Sequence, residues 1–193
     1  MTFFKNKLGD RRGQLIVESM VAIAVMVTGI LGLFVLLSKS LAATKLVSSQ
    51  YVAVHLAGEG IELVKNLLDK NAITRRATGG ANSLTPWNQN MGPGTFEMDF
   101  NDGALTPVVP GQAHLLSFDE QSGRYFYASS AGGTGIDEGQ SLTTPSIYKR
   151  EIAITWLPAA SPNSMSVVST VWWSIRGTDY SVVLEDVFTN WRP

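Results

Sequence analysis

Cysteine is absent from all 193 residues, so the chain can hold no disulfide, no thiolate metal site and no thiol nucleophile. Histidine occurs twice, as His55 and His114, in unrelated contexts, and neither belongs to an H-E-x-x-H pair. No serine stands in a G-x-S-x-G elbow. Proline is missing from Met1 to Thr85, which removes the strongest helix breaker from that whole stretch. Charge is also sparse. Only 16% of residues are charged and the net charge is −1, which argues against a nucleic-acid binder that works by neutralising phosphates. With so thin a catalytic inventory, neither an enzyme nor a cofactor or metal site is expected.

The charge that exists is unevenly placed. Lys5, Lys7, Arg11 and Arg12 stand against Asp10 before Gln14, a net of +3, and the remainder carries −4. From Ser19 to Ser38 there are 20 consecutive residues without a charge. Twenty helical residues rise about 30 Å, close to the hydrocarbon thickness of a bilayer. Basic residues before such a run hold the N-terminus in the cytoplasm and send the C-terminal part across. The run exceeds a secretory h-region, and helical character continues after it. Ala57, Ile61, Val64 and Leu68 recur at helical spacing, so one helix is expected from about Leu15 to about Lys70. Gly29, Gly32, Gly58 and Gly60 are its weak points, each costing about 1 kcal/mol against alanine.

After the helix, "ATGGANSLTPWNQNMGPG" reads as a loop. Short β-prone runs follow in "TFEMDF", "HLLSF" and "RYFYA", then a connector, "SSAGGTGIDEGQSLTTPS". Within it, "GGTGIDEG" lacks the lysine of a phosphate loop and the spacing of a dinucleotide loop. "IYKREIAITWL" alternates with Arg150, Ile152, Ile154 and Trp156 on one side. "MSVVSTVWWSI" and "DYSVVLEDVFTNW" flank "RGTD", where Gly177 suits a tight hairpin. These predict a three-stranded antiparallel meander whose apolar face the amphipathic half of the helix would cover. "DFNDG" fails the EF-hand pattern and reads as a β-turn. Trp172 and Trp173 are adjacent in a strand and so point to opposite faces. The one left out of the core is a candidate exposed contact for adhesion or for another subunit.

One residue conflicts with the apolar run: Glu18, an acid just inside its front edge. In "RRGQLIVE" a basic stretch ends in Gly13, Gln14 follows, and Glu18 is the fifth residue counted from Gln14. This Gly-x-x-x-x-Glu spacing before about 20 uncharged residues resembles the N-terminus of type IV prepilins. The resemblance covers about Arg11 to Leu37, and the rest agrees only in architecture. The family's first mature residue is usually phenylalanine, where this chain has Gln14. The resemblance implies a pilin-like α+β fold, with a long N-terminal helix, membrane-spanning in its first half, on a C-terminal antiparallel sheet. It further implies a leader over 1–13, a transmembrane and assembly helix over 14–38, its amphipathic continuation over 39–71, and an exported head over 72–193. A prepilin peptidase would cut between Gly13 and Gln14 and the new terminus at Gln14 would be N-methylated. Glu18 would pair with the terminal amine of a neighbouring pilin or pseudopilin subunit. Its partners would be that peptidase, other subunits, and membrane lipid before assembly, and its place the cytoplasmic membrane and then a filament. "AGEGIELVKNLL" and "LEDVFTNWR" look more like minor pilins or pseudopilins than like shaft subunits. The competing expectation is a signal-anchored extracytoplasmic protein that binds a ligand or carbohydrate and never polymerises.

Overall fold

A computed structural model describes residues 11–78, 86–100, 102–127, 143–157 and 163–190. Most of the expected leader, the "GGTGIDEG" connector and Trp191 lie outside these residues. The chain divides into two compact units, Met1–Ser48 and Ser49–Pro193. A single helix, α1 (Arg11–Ala77), supplies the described part of the first unit and the opening of the second. It starts before the expected Leu15 and ends beyond the expected Lys70. Without proline to stop it, the helix runs until the Gly-rich segment is reached. Asn71 then ties its last turns to the following loop, donating from Nδ2 to the carbonyls of Trp87 (3.3 Å) and Gln89 (3.1 Å).

The second unit is a seven-stranded antiparallel sheet with the later part of α1 packed on it. Its strands are β1 (Gly94–Glu97), β2 (Thr106–Pro107), β3 (Leu115–Asp119), β4 (Arg124–Tyr127), β5 (Thr143–Leu157), β6 (Ser164–Ile175) and β7 (Thr178–Thr189). The fold class is therefore α+β, with the long N-terminal helix on a C-terminal antiparallel sheet. Strands β5, β6 and β7 form the expected meander in unbroken register, from Tyr148 opposite Trp173 to Leu157 opposite Ser164, and from Ser164 opposite Thr189 to Ile175 opposite Thr178.

Two features depart from the sequence reading. Strand β5 begins at Thr143, inside the stretch expected to be a connector. Its early residues are recruited by β3, with Asp119 opposite Thr143 and a register shift between Leu115 and Ser117. Pro145 is tolerated because the ladder is already irregular next to it. Strand β2 was not expected at all: its two residues, Thr106 and Pro107, pair only with β1. The long β5 is the hub. Along one edge it carries β6, and along the other it carries β3 on its first half and β1 on its second.

The β6–β7 turn has the backbone that the sequence suggested. Arg176 and Gly177 both have positive φ, 53° and 79°, which is the conformation of a two-residue type I′ hairpin. Alternation then assigns the faces. Met165, Val167, Ser169, Val171 and Trp173 of β6 are buried with Tyr148, Arg150, Ile152 and Ile154 of β5. Ala53, Leu56, Ala57, Leu63 and Val64 of α1 close the core over them. Of the helical face predicted from sequence, Ala57 and Val64 are buried, while Ile61 and Leu68 lie at its half-buried margin.

Candidate functional site: the N-terminal segment and the head it carries

Gly13 and Gln14 lie in the first turn of α1, and both are exposed. A methyl group added at Gly13 would meet nothing within 4 Å. Glu18 is exposed one turn later, and among the described residues no ion pair includes it. From Leu15 to Leu37 the large apolar side chains face outward on every side of the helix, between 47% and 67% exposed. A helix that is apolar all round is a buried or membrane helix, because water would have to solvate its whole circumference. The few hydroxyls along it are satisfied internally: Ser19 donates to the carbonyl of Ile16 at 2.8 Å and Thr28 to that of Ala24 at 2.7 Å. The segment is long and apolar enough to span a bilayer and could serve as a membrane anchor.

The head unit is organised around a residue that sequence reading placed on the same side of its strand as Ile152 and Ile154 without explaining it. Arg150 is completely buried. Its Nη1 donates to the carbonyl of Leu56 (3.2 Å) and pairs with Oε2 of Glu59 (3.1 Å), and its Nη2 donates to the carbonyl of Met98 (2.6 Å). Its own carbonyl accepts from the Tyr127 hydroxyl at 2.7 Å, and burial pushes that phenol's pKa up, so Tyr127 stays a proton donor. One guanidinium thus ties the helix and the segment just after β1 to β5. Gly60 makes the approach feasible, since a Cβ there would lie 2.4 Å from Ser169 Oγ and 3.3 Å from Arg150 Cδ. The sequence signal was present: a charge in the inward register with Ile152, Ile154 and Trp156 requires a buried partner.

Trp172 and Trp173 separate as the strand geometry requires. Trp173 is buried at 4% exposure, 6.3 Å from the Tyr148 ring and stacked on Tyr180 at 5.6 Å. It is therefore a core residue, which removes it as an exposed contact. Trp172 lies half-buried on the opposite face. His55 is exposed with its ring 4.4 Å from that of Tyr51, and His114 holds Glu97 Oε2 at 2.8 Å through Nδ1. Asp99 and Asp102 form the expected turn, with Asp102 N donating to the Asp99 carbonyl at 3.1 Å. Among the described residues no group of three or more His, Cys, Asp or Glu side chains could hold a metal ion. Comparisons with protein-family models, with curated proteins and with solved structures find no match.

Proposed function

We propose that this chain is a structural subunit, a minor pilin or pseudopilin, of a type IV pilus or a related secretion or DNA-uptake filament. The observation that carries the proposal is the Gly13-to-Glu18 spacing at the head of an uncharged helical run whose side chains are exposed among the described residues. In this reading the basic residues ahead of Gln14 keep the N-terminus in the cytoplasm while the second unit crosses. A prepilin peptidase then cuts between Gly13 and Gln14. That bond lies inside a helical turn, so it must be drawn out of the helix to be cut, and glycine lowers the cost by about 1 kcal/mol relative to alanine.

Cleavage does two things at once. It removes the basic residues that anchor the inner end of the helix, and it creates an α-amine on Gln14, four residues before an acid. An ionised carboxylate near the bilayer centre costs about 2.5–3.5 kcal/mol on insertion scales, and less near the edge where Glu18 stands. Pairing Glu18 with the amine of a neighbouring copy relieves that cost only when subunits stand side by side. The same contact would set the axial register of one helix against the next. The apolar circumference from Leu15 to Leu37 would exchange lipid for other subunit helices, and the sheet-bearing unit would remain outside the bundle.

Intact-mass measurement of the membrane-extracted protein tests the processing step. A chain beginning at Gln14, with or without a methyl group, is expected. Retention of "MTFFKNKLGDRRG" would favour the anchored, non-polymerising alternative. For assembly, Glu18→Ala is expected to be cleaved normally yet to be lost from sheared filaments. Equal recovery of this variant and the wild type would overturn the role of Glu18.

A further inference from the structure

The head unit contains a cleft of about 530 Å³ between α1 and the β3–β4 hairpin, opening beside Tyr51, His55 and Glu59 on one wall and Phe100, Arg124 and Tyr125 on the other. Neither the filament reading nor the Arg150 anchor requires a cleft here. Its volume lies within the range of about 300–1,000 Å³ typical of small-molecule sites. Its polar groups are held in place from behind. Arg124 lies with its guanidinium carbon 4.8 Å from the centre of the Phe100 ring, a cation–π contact that restrains the side chain. The Glu59 carboxylate is pinned through Oε2 to the buried Arg150 at 3.1 Å. Tyr51 is 67% exposed, and its ring contact with His55, at 4.4 Å, is steeply inclined, which leaves ring surface open to a ligand. Tyr125 is packed from behind against Phe118 (5.0 Å) and Tyr148 (5.9 Å), and burial raises its pKa, so its hydroxyl remains protonated.

The chemistry of the lining narrows the ligand. Glu59, though paired with Arg150, and Arg124 place opposite charges on facing walls, so a ligand of a single charge sign that gains at one wall is opposed at the other. A wholly apolar ligand would strip water from Arg124, Glu59 and His55 without replacing their hydrogen bonds, which costs free energy at each group. A neutral ring with apolar C–H faces and closely spaced hydroxyls meets both demands. Its faces lie on tyrosine rings, and its hydroxyls donate to a carboxylate and accept from a guanidinium. We propose that this cleft is a glycan-binding site that takes one or two neutral sugar rings, with Tyr51 as the stacking platform and Arg124 and Glu59 as the hydroxyl-binding pair.

The proposal stands whether or not the chain enters a filament, and its test uses a different readout. The full-length protein in lipid nanodiscs, free of sugar-based detergent, would be titrated by saturation-transfer NMR. The probes are lactose, maltose, chitobiose and the methyl glycosides of their component sugars, with benzoate and choline as charged comparators. Millimolar binding of at least one neutral sugar is expected, weakened about tenfold or more by Tyr51→Ala and by Arg124→Ala. Both side chains are exposed, so folding should survive, and unchanged circular dichroism checks that. Val183→Ala, on exposed strand surface, serves as the control and should bind as wild type does. Binding of none of the sugars, tighter binding of benzoate or choline, or sugar binding untouched by both substitutions would each overturn the assignment.

Discussion

Leu33 and Leu56 belong to the same helix, yet Leu33 is 67% exposed and Leu56 only 3%. The first sits in a stretch whose whole circumference is apolar. The second sits in a stretch where apolar and charged residues divide between faces. Side-chain hydrophobicity is nearly the same in the two places; what differs is whether this chain supplies the cover. Over the second stretch the sheet does so, through Val171, Ile152 and their neighbours. Over the first stretch nothing within the described residues does, which leaves lipid or other helices as the natural cover. A helix can therefore carry two recognition surfaces in series, one used in folding and one held back for another environment.

That comparison can be broken by substitution. The largest effect is expected at Arg150. Arg150→Ala should destabilise the head unit by about 3–5 kcal/mol, because it removes the donor to the Met98 carbonyl, the second bond to the helical Leu56 carbonyl and the ion pair of Glu59. Denaturant unfolding of the full-length protein in micelles, followed by tryptophan fluorescence, measures this. Next comes the leucine pair itself. Leu56→Ala should cost about 2–5 kcal/mol by opening a cavity. Leu33→Ala should leave head stability within about 0.5 kcal/mol. Equal losses for the two would show that the first stretch is part of the folding core after all.

The glycines sharpen the contrast within the second stretch. Gly58→Ala adds a methyl group where nothing stands within 4 Å and should stabilise by up to about 1 kcal/mol. Gly60→Ala drives a Cβ against Ser169 and should destabilise by about 1–3 kcal/mol. Thermal melts of both variants, and of Gly60→Ala combined with Ser169→Gly, test the clash directly, since the double variant should recover part of the loss.

The smallest effect concerns Asp102, whose carboxyl pKa is pushed up mainly by burial and further by the nearby Asp99 carboxylate. A carboxyl with a raised folded-state pKa contributes stability at acid pH that is lost as pH rises through that pKa. Asp102→Asn keeps an acceptor for the Asp99 amide and removes the titration. Relative to wild type, the variant should therefore gain a few tenths of a kcal/mol as pH rises above the acid range. Unfolding curves at several pH values would show whether the difference has this sign.

Much of this architecture was legible from residue order. The proline-free stretch and the uncharged run announced the helix, and alternation from Tyr148 onward announced the meander with its inward face. Gly177 announced the hairpin. The strands that were misjudged are those whose existence depends on a partner far away in sequence. Thr143 to Ser146 have no alternating pattern and become strand because β3 pairs with them, and Thr106 and Pro107 are strand only because β1 lies alongside. Arg150 was placed on the correct face, but its anchoring role was not legible. The groups that satisfy it, the Leu56 carbonyl and Glu59 carboxylate on the helix and the Met98 carbonyl just after β1, lie about 50 to 95 residues away in sequence.

For the N-terminal segment, the sequence by itself determined nearly everything: helicity, span length and the spacing from Gly13 to Glu18 are all local properties fixed by neighbouring residues. The tertiary structure decided which of Trp172 and Trp173 enters the core, why Gly60 is the glycine that must stay small, and where the cleft opens beside Tyr51 and Arg124. The physical reason is range. Helix propensity, charge patterning and hydropathy act over a few residues. Burial, buried ion pairs and clefts depend on which distant segments the folded sheet brings against the helix.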